Sequence, residues 1–248
     1  MSALELSGIG HAYLGRTVID GLNLRVAQGE VVALVGPSGC GKSTALEIAA
    51  GLIEPLRGRV HRGYARHGVV FQEPHLMPWA RARDNIAYPL RLAGVGRGER
   101  RARAEHAAAR AALDPEDLDK YPAELSGGMK QRVGIARALV VEPDFMFFDE
   151  PFTALDVALK RHLQDVVIAA AKALQFAAVF VTHDLMEAQR IAHRIAVMDA
   201  RGAGLTADMP VAGEPGGRDD FAMFQQMSKL LANDPRFRHL NDVEARSA

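Results

Sequence analysis

The sequence has a single cysteine, Cys40, among 248 residues. One thiol excludes an intrachain disulfide framework, and with it the small secreted scaffolds that depend on one. An excess of either charge is also missing: Lys plus Arg total 30, Asp plus Glu total 30, and the formal net charge is zero. The chain as a whole therefore lacks the basic footprint of a phosphate-neutralising nucleic-acid binder. Aromatic residues make up only 6%, too few to suggest a base-stacking surface. Nucleic acid is thus not expected as a partner. Long apolar runs are absent too. The most apolar stretch, Val166 to Val181, is broken by Lys172 and Gln175 and is too short to span a bilayer. The residues Met1 to Glu5 show no basic segment leading into an apolar one, so no secretory signal is expected. The expectation is a cytosolic protein whose membrane role, if any, comes through a partner.

What remains is the composition of a globular protein, 48% hydrophobic and 24% charged, long enough for one large domain or a domain with a subdomain. Leu4 to Tyr13 and Val18 to Val26 alternate loosely and predict antiparallel strands, followed by a turn at Gln28-Gly29-Glu30. Val31 to Val35 is a buried strand, and Ser43 to Ala50 has helical spacing. Val69 to Phe71 predicts another strand. Asp84 to Leu113, rich in Ala, Arg and Leu, predicts an inserted helical segment with breaks at Gly94 and Gly96, and Gly128 to Val140 a further helix. Phe145 to Phe148 and Ala178 to Val181 are uniformly apolar, as expected of central parallel strands, and a helix at about Ala158 to Leu174 joins them. Strands separated by helices make an α/β core. Gly213 to Gly217 predicts a linker, after which Phe221, Phe224, Leu230 and Leu231 suggest the packing face of a helix.

Between the first buried strand and its helix lies Gly36-Pro37-Ser38-Gly39-Cys40-Gly41-Lys42-Ser43, which fits the phosphate-loop pattern at each fixed position. Glycines let successive backbone N–H groups turn inward around phosphates, and the helix N-terminus adds partial positive charge. Lys42 is expected to reach the β- and γ-phosphates, Ser43 to ligate Mg²⁺, and Thr44 to contact phosphate. Cys40 sits within the loop as a small buried side chain without chemistry of its own. Further on, the strand Phe145 to Phe148 ends in Asp149-Glu150. Asp149 is placed to hold Mg²⁺ through water, and Glu150 to polarise the attacking water.

Leu125-Ser126-Gly127-Gly128-Met129-Lys130-Gln131-Arg132 closely resembles the signature of ABC ATPases. Its glycines open a helix whose free N–H groups point at an anion. The resemblance, spanning about Leu4 to Ala200, implies ATP and Mg²⁺ as cofactors and a head-to-tail pairing with a second copy. In that pairing Ser126, Gly127 and Gly128 face the γ-phosphate held by the partner. It also implies that Tyr13 stacks on adenine, that Gln72 contacts Mg²⁺ and senses the γ-phosphate, and that His183 contacts the γ-phosphate. Ala154-Leu155-Asp156 would cross the dimer interface. Met129 stands where many members have Gln and cannot donate the same hydrogen bonds.

The segment Phe71 to Trp79, followed by Asp84-Asn85-Ile86, looks like the ATPases of nitrate, sulfonate and taurine importers. The likeness implies two transmembrane permease subunits, an extracellular or periplasmic solute-binding protein, and residence at the cytoplasmic face of the inner (plasma) membrane. The expected architecture is a phosphate-loop α/β core with an antiparallel β subdomain (residues 1–78 and 141–210), an inserted helical subdomain carrying the signature (79–140), and a tail with a helix (211–248). Alternatives are a soluble ABC ATPase outside transport, an exporter or lipid-trafficking ATPase, and a phosphate-loop kinase. The kinase has no use for the signature.

Overall fold

The computed structural model describes residues 2–153 and 155–237. They fall into two compact units, one taking the chain up to Tyr64 and from Ala177 onward, the other Ala65–Phe176.

In the first unit, β1 (Ser2–Tyr13) and β2 (Arg16–Ala27) form a hairpin. Its two-residue turn, Leu14-Gly15, has φ of 47° and 79°, the pair of positive values that matches the twist of adjoining strands. Leu4, Leu6 and Ile9 on β1 and Leu22, Leu24 and Val26 on β2 are buried. On the other edge of β1 lies β4 (Arg57–Arg62), giving a three-stranded antiparallel order β2-β1-β4. β4 reads Arg-Gly-Arg-Val-His-Arg, with no apolar periodicity to announce it.

The unit's buried centre is β3 (Val31–Val35), paired in parallel with β7 (Ala177–Thr182) and β8 (Arg194–Met198). β9 (Leu205–Pro210) runs antiparallel along β8. β3 and β7 are buried at each residue, as parallel strands covered on both faces are. Each fully buried Val or Leu there contributes about 1.5–3 kcal/mol. α1 (Lys42–Ala50) follows β3. Its C-terminal carbonyls are gripped from β4 and beyond: Arg62 donates to Ile48 O at 2.6 Å and Ala49 O at 2.9 Å, and the Tyr64 hydroxyl to Ala49 O at 3.0 Å. A cation at this end also suits the helix dipole. α6 (Leu185–Ile191) follows β7, and α7 (Asp220–Asn233) comes last.

The second unit pairs β5 (His67–Val70) in parallel with β6 (Phe145–Asp149). Around them are α2 (Ala82–Leu92), α3 (Arg97–Arg110), α4 (Gly127–Leu139) and α5 (Val157–Leu174). The expected break is there: α2 stops at Leu92, Gly94 takes φ 75°, and α3 starts at Arg97.

The end of the chain differs from expectation. Phe221 and Phe224 are 68% and 54% exposed, and the buried residue of α7 is Met223, at 4%. The Asp219 carboxylate accepts the Ala222 N–H at 2.9 Å and so sets where the helix begins. Met223, Met227 and Leu230, four and three residues apart, form the inward row, while Leu230 follows Phe221 by about two and a half turns and so lies on the opposite side from it. The stretch expected as a linker is tied down by Arg218, whose guanidinium donates to Ala212 O (2.8 Å), Gly213 O (2.6 Å), Val211 O (3.3 Å) and Ala192 O (2.9 Å), and to Gln189 O. Residues 238–248 of the expected tail, and Ala154 of the expected interface segment, lie outside the described residues.

Candidate nucleotide-binding site

The first unit contains Tyr13, the loop Gly36 to Thr44, and His183; the second contains Gln72, Ser126 to Gly128, Asp149 and Glu150.

In the first unit, sheet register brings two candidates side by side. Val35 pairs with Thr182, so Gly36 and His183 leave neighbouring parallel strands at the same level. This is the carboxyl end of the strands, where α/β folds take ligands. The loop then closes on itself. Gly39 and Gly41 have φ of 81° and 99°, conformations that a side chain would strain. Lys42 is 4% exposed, and its ammonium donates to Gly36 O at 2.8 Å and Pro37 O at 3.0 Å. The lysine thus spans the mouth of the loop whose phosphates it is expected to meet. Thr44 is buried, whereas Ser38, Gly39 and Ser43 are exposed. Cys40 is buried. Burial pushes its thiol up, with the Lys42 charge pulling the other way, so the reactive thiolate is disfavoured at neutral pH.

His183 itself is exposed, between two committed neighbours. The Thr182 hydroxyl donates to Glu187 and accepts the Asp184 N–H at 3.1 Å. Asp184 caps α6 through the N–H groups of Met186 (2.8 Å) and Glu187 (3.2 Å). Tyr13, ending β1, is 46% exposed and meets His11 edge to face at 4.8 Å, so much of its ring is open for stacking.

In the second unit the same register logic applies. Val70 pairs with Phe148, so the chains carrying Gln72 and the acids Asp149-Glu150 leave neighbouring strand ends together. Glu150 has φ 43°. A non-glycine residue there costs of order 1–3 kcal/mol, and such strain gathers at functional positions. The Thr153 hydroxyl donates to the Glu150 carboxylate at 3.2 Å. Ser126 caps α4 by accepting the Met129 N–H at 3.3 Å. Among the described residues, nothing lies within 4 Å of a Cβ built on Gly127, whereas one on Gly128 would meet Leu159 Cδ2 at 2.2 Å. Gly128 therefore lets α4 start hard against α5. The first turn of α5 is held by Asp156, which accepts the Leu159 N–H at 2.9 Å.

Several supporting residues escaped sequence reasoning. Gln131, buried on α4, donates to Phe71 O at 3.1 Å. Arg137 donates to His75 O at 2.9 Å and to Pro74 O, and burial lowers its pKa. Gly134 lets Pro74 approach, since a Cβ there would lie 3.2 Å from Pro74 Cβ. The helix opened by Ser126 thus fastens the segment around Gln72. Asn85 is wholly buried and holds the next stretch, accepting the Met77 N–H (2.8 Å) and donating to Met77 O, Ala80 O and Arg81 O. Gln131 and Asn85 lie within the segments that carry the family likeness, and a polar residue on the apolar side of a helix is the local signal of their packing role. Nothing local marks Arg137.

Comparison with known proteins follows this geometry. A family model described as ABC transporter matches residues 19–153. The taurine import ATP-binding protein TauB of Pseudomonas aeruginosa (strain UCBPP-PA14) is 42% identical over 238 residues, covering 92% of this chain and 87% of that protein. The aliphatic sulfonates import ATP-binding protein SsuB 1 of Rhizobium johnstonii is 38% identical over 221 residues, 85% of this chain and 78% of its own length. Among solved structures, the dimer of a bacterial ABC transporter cassette has a TM-score of 0.78 and 29% identity, over 85% of this chain and 99% of that one.

Proposed function

The chain belongs to the ABC transporter family as an ATP-binding, ATP-hydrolysing protein, and from that premise we propose that it powers an importer of a small solute of the nitrate, sulfonate or taurine type. The observation that carries this reading is the pair of glycine-opened helices: α1 follows a phosphate loop, while α4 begins with exposed Ser126 and Gly127. The likeness to taurine and sulfonate import proteins supports the direction of transport and the class of cargo.

ATP is held by Gly36, Pro37, Ser38, Gly39, Cys40, Gly41, Lys42, Ser43 and Thr44, with Tyr13 against the adenine. Ser126, Gly127 and Gly128 of a second copy face the γ-phosphate, so the triphosphate bridges the two copies. Glu150 polarises the attacking water, whose oxygen bonds to the γ-phosphorus as the bond to ADP breaks. His183 and Gln72 contact the γ-phosphate. Ser43, Gln72 and Asp149 offer the hard oxygen donors that Mg²⁺ prefers, and the ion when bound neutralises phosphate charge. Hydrolysis removes the bridge and the pair reopens.

The segment around Gln72, fastened to α4 by Gln131 before it and Arg137 after it, passes this change to two permease subunits. Residues 1–78 and 141–210 serve the nucleotide, 79–140 carry the signature, and 211–248 are a tail. Among the described residues no helix is long and apolar enough to cross a membrane. The chain works at the cytoplasmic face of the inner (plasma) membrane, held by the permease, and a solute-binding protein delivers cargo from outside.

The test has two parts. Sedimentation of Glu150→Gln with ATP and the permease is expected to show a paired species absent with ADP; a chain monomeric in both conditions contradicts the pairing. Deleting the gene is expected to abolish uptake of taurine or alkanesulfonates and leave unrelated solutes untouched. Unchanged uptake of nitrate, taurine and sulfonates excludes the cargo class.

A further inference from the structure

Between β8 and β9 the chain turns through Asp199–Gly204, outside each of the motifs used so far. The turn is closed by its own backbone: the Asp199 N–H donates to Gly204 O at 3.0 Å and the Gly202 N–H to Asp199 O at 3.0 Å. The Asp199 carboxylate accepts the Arg201 N–H at 2.8 Å. Gly202 O in turn accepts the Asp20 N–H at 2.8 Å, which fastens the turn to β2.

Gly202 is buried, at φ +75°. A Cβ there would fall 1.9 Å from Val18 O and 3.4 Å from Cys40 O. Gly41, the last loop residue before α1, is at φ +99°, and its Cβ would fall 2.9 Å from the same Val18 O and 3.0 Å from Ile19 Cγ1. The Val18 carbonyl is therefore wedged between two glycines, one in the turn and one in the phosphate loop. The loop's other end also rests on β8, since a Cβ on Gly36 would lie 3.3 Å from Met198 Cβ. β8 and its turn thus meet the loop at both of its ends.

We propose that the Asp199–Gly204 turn is the seat of the phosphate loop and that Gly202 is a positioning residue for ATP. Acting through Val18, it sets where Cys40 and Gly41 stand, and hence the height of Lys42 and of the N–H groups that receive phosphate. The proposal rests on the reading of residues 36–44 as the triphosphate site. Backbone donors have no side-chain freedom with which to follow a displaced loop, and each hydrogen bond to a charged phosphate lost in this way costs roughly 10- to 100-fold in affinity. The displacement weakens ground-state and transition-state phosphate binding alike, so it raises KM and spares kcat.

The experiment titrates a fluorescent ATP analogue into the full chain and measures steady-state ATPase beside it. Gly202→Ala is expected to weaken ATP binding about 10- to 100-fold and to raise KM while kcat at saturation stays near wild type. Gly29→Ala is the control: Gly29 has φ +71° with nothing described within 4 Å of its Cβ, so the variant carries the same backbone strain without the overlap. It is expected to bind ATP as wild type does. Asp199→Ala loosens the turn without adding bulk and is expected to weaken ATP in the same direction, by less. Wild-type affinity in Gly202→Ala overturns the proposal, as does an equal loss in Gly29→Ala. If Gly202→Ala does not fold, wild-type affinity in Asp199→Ala overturns it. Failure of the wild-type chain to bind ATP would instead remove the reading of the loop itself.

Discussion

Among the helices that open on glycine, α1 after Gly41 and α4 at Gly127-Gly128 are set in different surroundings. The start of α1 is a mould made by its own unit. Gly41 is pressed against Val18 and Ile19, Lys42 and Thr44 are buried, and no side chain caps the helix. The start of α4 is open. Ser126 supplies its own cap, Ser126 and Gly127 are exposed, and only Gly128 is pressed, by Leu159. Both ends carry the partial positive charge that attracts an anion. The contrast is in enclosure: α1 and its loop are packed in by their neighbours, whereas α4 presents one open face.

The largest expected effect concerns neither helix start. Glu150→Gln should lower the ATPase rate about 10²–10⁴-fold with ATP affinity retained, measured by phosphate release and nucleotide titration. A variant that hydrolyses normally would take the water-polarising role from Glu150.

Two glycines test the difference in enclosure. Gly41→Ala puts a Cβ 2.9 Å from the Val18 carbonyl in a left-handed residue and should cost the chain about 10²-fold in ATP affinity through lost phosphate hydrogen bonds. Gly127→Ala meets nothing described within 4 Å, so the unpaired chain should bind ATP normally while ATPase falls by about 10-fold or more, as for loss of a transition-state anion contact. If both variants lose affinity alike, the two helix starts do not differ in the way described.

Asn85→Ala removes a buried amide that holds four backbone groups and should destabilise the fold by about 1–3 kcal/mol in denaturant titration, leaving ATP affinity unchanged.

The smallest effect is one of pH in the first unit. Burial pulls the Glu30 carboxyl upward, but the Arg194 guanidinium, at 2.7 Å, and the Ala27 N–H outweigh it, and its pKa is net lowered. A carboxyl with a depressed folded pKa stabilises fully above its unfolded value of about 4.3 and loses that contribution as pH falls through the folded value. The melting-temperature advantage of wild type over Glu30→Gln should be present near neutral pH and shrink below about pH 4. An advantage that grows on acidification would reverse the sign.

Uniformly apolar runs were legible at Val31–Val35 and Phe145–Phe148, because burial on both faces leaves nothing polar to confuse the reading, but the equally apolar Ile195–Met198 of β8 was passed over. β4 was not legible, since an edge strand of arginines gains its place from backbone pairing with β1. The α7 face differs from expectation because Phe221 and Leu230, about two and a half turns apart, stand on opposite sides of the helix, and Met223 marks the buried one. Of the candidate site, contiguous groups were legible: Gly36 to Thr44, Ser126 to Gly128, Asp149-Glu150. The holders were not. Arg137 reaches His75 across 62 residues, and Thr153 reaches Glu150 through a turn whose positive φ no local rule announces.

The residues alone point to phosphate chemistry, because the glycine-rich loop, the Ser-Gly-Gly helix start and the acidic pair are each written in a few adjacent positions. Only the tertiary structure decided what holds the loop at its height. Val18, Met198 and Gly202 reach it from β2, β8 and the turn beyond, and they act by backbone contact and by the absence of a Cβ. A missing atom leaves no trace in a residue pattern until the fold brings a carbonyl into the space it would have filled.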